Sequence, residues 1–243
     1  MGETQHLCNK ILVKSHPLSS VSNNRTCWSC NRLVSDVNFF CECGKLQPLN
    51  INWTYFDVLG YSSPQPVIDI SELTDRMRQC QKILHPDKFS GKSSYEVALA
   101  SDASSFINKA YDVLQKPVKR YEYILDLHGM STDNPEFQKL DNSVFLSEVM
   151  DIIEEVRDVI DRITNLSRSG NIVELTNDLS RLVCDLHQRL DDQEKIVIDF
   201  IKNSDWSNAL VYFSQYKYIL KVLEELREHE LTWKKLGIDV STT

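Results

Sequence analysis

The chain has 243 residues and only seven glycines, about 3% against a usual ~7%, which disfavours β-rich folds and α/β folds with phosphate loops and favours long helices joined by few turns. A formal charge of −8 argues against a general nucleic-acid binder, and no apolar run approaches the ~20 residues needed to span a bilayer, so neither nucleic acid nor membrane is expected as a partner. The 42% apolar content suffices for one or two cores, and the length suggests two domains with a small extra module.

The charge is uneven. Residues 1–140 balance 15 Lys+Arg against 15 Asp+Glu, whereas residues 141–236 hold 12 against 19. The second half is the acidic part, and a basic or apolar partner suits it better than an anionic one.

In chain order, residues 1–25 lack periodicity and read as either a disordered terminus or a targeting segment. Residues 26–50 hold a cysteine module. Trp53 to Gly60 reads as a short helix closed by glycine. Asp69-Ile-Ser-Glu72 resembles a capping box opening a helix to about Leu84, with Leu73, Met77, Cys80 and Leu84 on one face. Pro86 must end it, because the residue before proline is pushed out of the helical region. Tyr95 to about Gln115 is helical, with Val97, Ala100, Ala103, Ile107, Ala110 and Leu114 spaced as a core stripe. Pro117 interrupts, and residues 118–128 form another helix stopped by Gly129. Residues 130–142 read as a linker. Three long helices follow, from Phe145 to about Leu166, from an Asn171 cap to about Lys202, and from a Ser204-Asp205 cap to Gly237. Three antiparallel helices with short loops make a bundle. The expected fold is therefore all-α, with the cysteine module at 26–50, a helical domain at 51–129 and a bundle at 143–237.

Seven cysteines, four of them within residues 27–43, do not fit a secreted disulfide framework. They fit a reducing compartment and one metal site. Cys27-Trp-Ser-Cys30 and Cys41-Glu-Cys43-Gly44 supply four thiolates for a tetrahedral structural zinc, with reduced structural cysteines, a disulfide or an iron–sulfur cluster as alternatives. Cys80 and Cys184 fall on predicted core faces, where free cysteine acts as a small apolar residue. No nucleophile–base pair, phosphate loop or His-Glu-x-x-His pattern supports an enzyme. His128, His187 and His229 stand isolated on helices, as surface or capping residues.

His85-Pro86-Asp87-Lys88-Phe89 follows a helix bearing Arg76, Arg78 and Lys82. Proline stiffens the turn and holds a histidine and a carboxylate outward beside a basic face, an arrangement suited to recognition. Tyr55-Phe-Asp-Val-Leu-Gly60, the basic helix, His-Pro-Asp-Lys and Asn108-Lys-Ala-Tyr-Asp-Val-Leu114 together resemble a J domain over residues 53–128. Arg120-Tyr-Glu-Tyr-Ile-Leu-Asp-Leu-His-Gly129 and the three-helix remainder resemble the HscB type, dedicated to iron–sulfur cluster biogenesis. The resemblance implies a co-chaperone without its own catalytic site. His85, Pro86 and Asp87, with Arg76, Arg78, Lys82 and Lys88, would dock on a DnaK-class ATPase chaperone and stimulate it.

The resemblance also implies that the scaffold protein IscU docks on the bundle at Leu146, Met150 and Tyr218, with Asp151 and Glu154 as polar neighbours. The pattern itself adds that Leu146, Met150 and Ile153 form an apolar strip beside the core stripe of Phe145, Val149, Ile152, Val156, Val159 and Ile163, wider than a three-helix bundle needs. Eukaryotic HscB proteins carry a similar tetracysteine module, with two residues rather than one inside the second pair. Their localisation implies the mitochondrial matrix, some members having a cytoplasmic pool. The module's role stays open between fixing the N-terminus, self-association into a dimer, and sensing metal or redox state. A general J-domain adaptor for other clients is the alternative function.

Overall fold

The computed structural model describes residues 25–34, 38–131, 143–164 and 172–240, without the side chains of 143–146, 148–149 and 164. The proposed leader apart from Arg25, nearly all of the proposed linker, Cys8 and the Asn171 cap lie outside the described residues. The chain divides into two compact units, Met1–Ile124 and Leu125–Thr243. Among the described residues there are seven α-helices and two two-residue strands, and no helix is long and apolar enough to cross a membrane. The all-α expectation holds, with a small β element in the cysteine module.

In that module β1 (Arg25–Thr26) pairs antiparallel with β2 (Leu33–Val34). The chain turns between them through Asn31 at φ 55°, a left-handed conformation that Asn tolerates. A second turn brings Phe40 opposite Leu46, and Gly44 at φ 82° donates its N–H to the Cys41 carbonyl at 2.8 Å.

The helical part of the first unit begins with α1 (Tyr55–Val58), shorter than the sequence pattern suggests. Thr54 and Asp57 form a reciprocal capping box on it. The long pair is α2 (Ile70–Leu84) and α3 (Ser94–Leu114). Asp69 caps α2 by accepting from the Ser71 and Glu72 N–H groups. Ser93 caps α3, which begins at Ser94, one residue before the expected Tyr95.

Ala100, Ala103 and Ala110 are buried with Leu73, Cys80, Leu84, Ile107 and Leu114. Small side chains on α3 leave room for the larger ones of α2. Val97 and Met77 are only half-buried, and Leu99 takes the place predicted for Val97 in the core. Gln81 locks the pair, donating to the Ser104 carbonyl at 3.1 Å and Asn108 Oδ1 at 2.8 Å while accepting from Ser104 Oγ at 2.9 Å.

Pro117 does not interrupt but starts α4 (Pro117–Leu127), at the first helical position where its missing N–H costs nothing. Arg120, 4% exposed, donates to the carbonyls of Pro66 at 2.8 Å and Leu114 at 2.5 Å. It thereby ties the Tyr61–Val67 loop to the end of α3.

The second unit holds α5 (Ser143–Thr164), α6 (Ile172–Lys202) and α7 (Trp206–Lys235). Asp205 caps α7, accepting from the Asn208 N–H, and Ser204 before it is left-handed at φ 58°. Val156, Val159, Ile163, Leu179, Val183, Leu186, Leu223 and Leu226 are buried in one core. Cys184 corrects the sequence reading: it is exposed, because Leu182, Val183 and Leu186 fill the inward face of α6. His128 stacks on Trp206 at 3.6 Å, His229 lies parallel to Trp233 at 5.9 Å, and His187 Nδ1 meets the Val183 carbonyl at 2.8 Å.

Candidate functional site

Three sets of side chains carry the sequence-level expectations. In the first, the Sγ atoms of Cys27, Cys30, Cys41 and Cys43 all lie within 4.8 Å of one another. Cys27 is 3.7 Å from Cys43 and Cys30 is 3.6 Å from Cys41. A tetrahedron with metal–sulfur bonds of about 2.3 Å has edges of about 3.8 Å. The donor set therefore fits a tetrahedral thiolate-binding metal, and the shorter second pair still reaches because the Gly44 turn folds Cys41 and Cys43 to one side. Every pair of facing sulfurs joins one turn to the other, so a bound ion would cross-link both.

The surroundings favour thiolate unevenly. At Cys30 the backbone N–H of Arg32 and then its guanidinium bring the thiol down to about 6. Burial pushes Cys41 up to about 12. At Cys27 burial works upward, but the backbone N–H groups of Cys30 and Ser29 outweigh it and hold the thiol below its ordinary value. Gln47, 3% exposed, donates from Nε2 to Cys27 Sγ at 3.3 Å and to the Lys45 carbonyl at 2.8 Å. Such outer donors orient metal ligands; sequence spacing gave no sign of this one.

In the second set, His85 is the last cap of α2 and Pro86–Phe89 closes into a 3₁₀ turn. The Lys88 N–H donates to the His85 carbonyl at 2.9 Å and the Asp87 N–H to His85 Nδ1 at 3.3 Å. Phe89 is buried and anchors the turn. The Asp87 side chain is 90% exposed and that of His85 52%. Arg78, Lys82 and Lys88 are exposed as well. Arg76 differs. Its guanidinium donates to the carbonyls of Leu59 and Gly60, pairs with Glu72 at 2.7 Å and covers the Tyr61 ring at 4.6 Å.

In the third set, Met150 and Tyr218 are exposed at 62% and 46%, and Asp151 and Glu154 are exposed. Ile153 is half-buried against the bundle core. Leu146 lies on α5, but its side chain is outside the described residues.

No family model matches the chain. Among curated proteins, the co-chaperone protein HscB of Proteus mirabilis is 30% identical over 72% of this chain and 95% of that protein. The J-type co-chaperone jac1, mitochondrial, of Schizosaccharomyces pombe is 31% identical over 81% and 90%. The mouse iron-sulfur cluster co-chaperone protein HscB is 34% identical over 60% of this chain, and the chain spans just under two thirds, 64%, of that relative. Among solved structures, human co-chaperone protein HscB superposes with a TM-score of 0.69 at 22% identity over 86% of this chain and 100% of that one, which shows the shared fold. HscB from Vibrio cholerae gives 0.62 at 27% identity over 74% and 99%. The class these findings define is that of J-type co-chaperones. The chain belongs to the HscB/Jac1 family among them.

Proposed function

We propose that this protein is a co-chaperone of iron–sulfur cluster assembly. It binds the scaffold protein IscU on the bundle, delivers it to a DnaK-class chaperone and stimulates that chaperone's ATPase. The observation that carries the reading is the His85–Asp87 turn. Its histidine and carboxylate are exposed while its backbone is pinned by Phe89 and the 3₁₀ hydrogen bonds. A preorganised charged turn loses little freedom on docking, and the basic Arg78, Lys82 and Lys88 would steer an acidic chaperone surface.

The exposed apolar pair Met150 and Tyr218 supports scaffold docking on the bundle, with Leu146 as the third apolar member and Asp151 and Glu154 on the rim. We assign zinc to the four cysteines, as a cross-link that supplies folding energy rather than chemistry. The mitochondrial jac1 and the mouse iron–sulfur relative support a mitochondrial matrix location. The test is His85→Gln. Wild type should stimulate the partner chaperone's ATPase and the variant should not, with scaffold binding unchanged. Equal stimulation by both would remove the reading. The general-adaptor alternative predicts stimulation without scaffold binding.

A further inference from the structure

The cysteine module is not a separate bead. It lies on the first turn of α3, and both sides of the junction are described within one compact unit. Lys45 Nζ meets Glu96 Oε1 at 3.0 Å, and the Glu96 side chain is only 7% exposed. The other Glu96 oxygen accepts from Ser93 Oγ at 3.0 Å, and the Glu96 N–H donates back to that hydroxyl at 3.3 Å. Glu96 is thus both the third helical residue of α3, fixing its cap, and the acceptor for a lysine two residues past Cys43.

Trp28, inside the Cys-x-x-Cys turn, stands edge-on to Tyr95 at 5.1 Å and is held by its indole N–H on the Leu46 carbonyl at 2.7 Å. The module also meets Trp53: Phe39 packs edge-on to it at 4.8 Å, and Arg25 lies over the same indole at 5.5 Å. Residues 90–95, between Phe89 and Glu96, are all exposed. The His85–Asp87 turn therefore has two inward anchors on its C-terminal side, Phe89 and Glu96, and the second is completed by the module.

We infer that metal loading of the tetracysteine module braces the first turn of α3, through Lys45–Glu96 and Trp28–Tyr95, and so holds the His85–Asp87 turn in its docking form. The physical ground is the cluster that joins the module's two turns, in which Cys27, Val34 and Cys41 are buried with Cys30 and Cys43 packed on them, beside the buried Phe39, Phe40 and Leu46. Ligands supply four of the cluster's five side chains, so without the ion it loses the cross-link that joins its two turns. When it opens, Lys45 is no longer held beside Glu96. A nearly buried carboxylate then lacks its cation and leaves for water, and the Ser93 cap loosens with it. The inference rests on the proposed docking role of the turn, but the brace itself is tested without any chaperone.

The experiment is amide hydrogen exchange on the full chain, zinc-loaded and after chelation. It compares wild type, the Trp28→Ala/Lys45→Ala pair and Glu96→Gln. In wild type, chelation should speed exchange at the Glu96 and Val97 amides about tenfold, together with the Lys92 amide. In the paired variant, which keeps all four thiols and one zinc per chain, these amides should exchange equally fast with and without zinc. Glu96→Gln lies outside the module and leaves the Trp28–Tyr95 contact in place, so it should reduce the zinc dependence of these amides without abolishing it, even where the paired variant loses metal. The brace is overturned if chelation opens the Cys41 and Gly44 amides in wild type yet leaves Glu96 and Val97 unchanged. It is also overturned if Glu96→Gln keeps the full zinc dependence. Loss of ATPase stimulation in His85→Gln bears only on the docking role, so the two readings fail separately.

Discussion

The Arg76 guanidinium donates to the Gly60 carbonyl oxygen at 2.6 Å. The same nitrogen reaches the Leu59 carbonyl at 3.0 Å, and the plane of the group covers Tyr61. These carbonyls close α1, whose C-terminal turn has Gly60 at φ 74°. By position in the sequence Arg76 is one more cation of the proposed docking helix; by its bonds it is the clasp between α1 and α2.

Arg76→Ala should therefore lower unfolding free energy by about 1–3 kcal/mol, since two acceptors and an aromatic face lose their partner. Arg78→Ala, whose side chain is 73% exposed and only 3.8 Å from Asp75, should stay within about 0.5 kcal/mol of wild type. Urea denaturation followed by circular dichroism separates the two. Equal stabilities for both variants would contradict the clasp.

Asp87→Asn isolates the charge of the proposed docking turn from its shape. The carboxylate is 90% exposed and 3.5 Å from His85 Nδ1, so amide replacement should leave the melting temperature unchanged within the effect of about 0.5 kcal/mol. ATPase stimulation of the partner chaperone should nevertheless fall to the unstimulated level. A variant that melts like wild type and still stimulates would show that the carboxylate is not read.

Much of this arrangement was legible from local chemistry. The Asp69 cap, the proline stop at His85-Pro86 and the end of α4 at Gly129, φ 74°, follow from one or two residues each. So does the gathering of the four thiols into one group able to hold a metal ion, because their two pairs lie within seventeen residues. What escaped were contacts between segments far apart in the chain. Lys45 meets Glu96 across 51 positions and Arg120 meets the Pro66 carbonyl across 54, and no periodicity encodes either partner. Cys184 was misread because a helix face wide enough for a core stripe also admits a small exposed residue at its border. Arg76 was grouped with its basic neighbours because charge is visible in a sequence and a backbone acceptor is not.

Asp112 offers a pH test. Hydrogen bonds from Lys116 at 2.8 Å and Lys119 at 2.7 Å hold its carboxyl down to about 2, below an ordinary 3.8. A depressed native value means that the contribution is complete above pH ~4 and is lost as pH falls through 4 toward 2. NMR titration should find the Asp112 side chain still ionised at pH 3. In Lys116→Ala/Lys119→Ala its midpoint should move up toward the ordinary value, and stability should become less dependent on pH in that window. An unchanged midpoint would mean that the lysines are not its partners in solution.

The proposed scaffold face can be separated from the bundle core by paired substitutions. Met150 and Tyr218 are exposed at 62% and 46%, so Met150→Ala with Tyr218→Ala leaves little cavity and should change stability by less than about 1 kcal/mol. If the scaffold docks there, affinity should fall about tenfold to a hundredfold, since a few apolar anchors carry most of an interface's energy. Leu223, 4% exposed in the bundle core, provides the opposite control. Leu223→Ala should cost about 2–5 kcal/mol of stability, while the fraction that remains folded binds the scaffold as wild type does. Calorimetry on both variants, read beside their melting curves, decides the matter. Weak binding by the Leu223 variant with full binding by the surface pair would move the docking site off this face of the bundle.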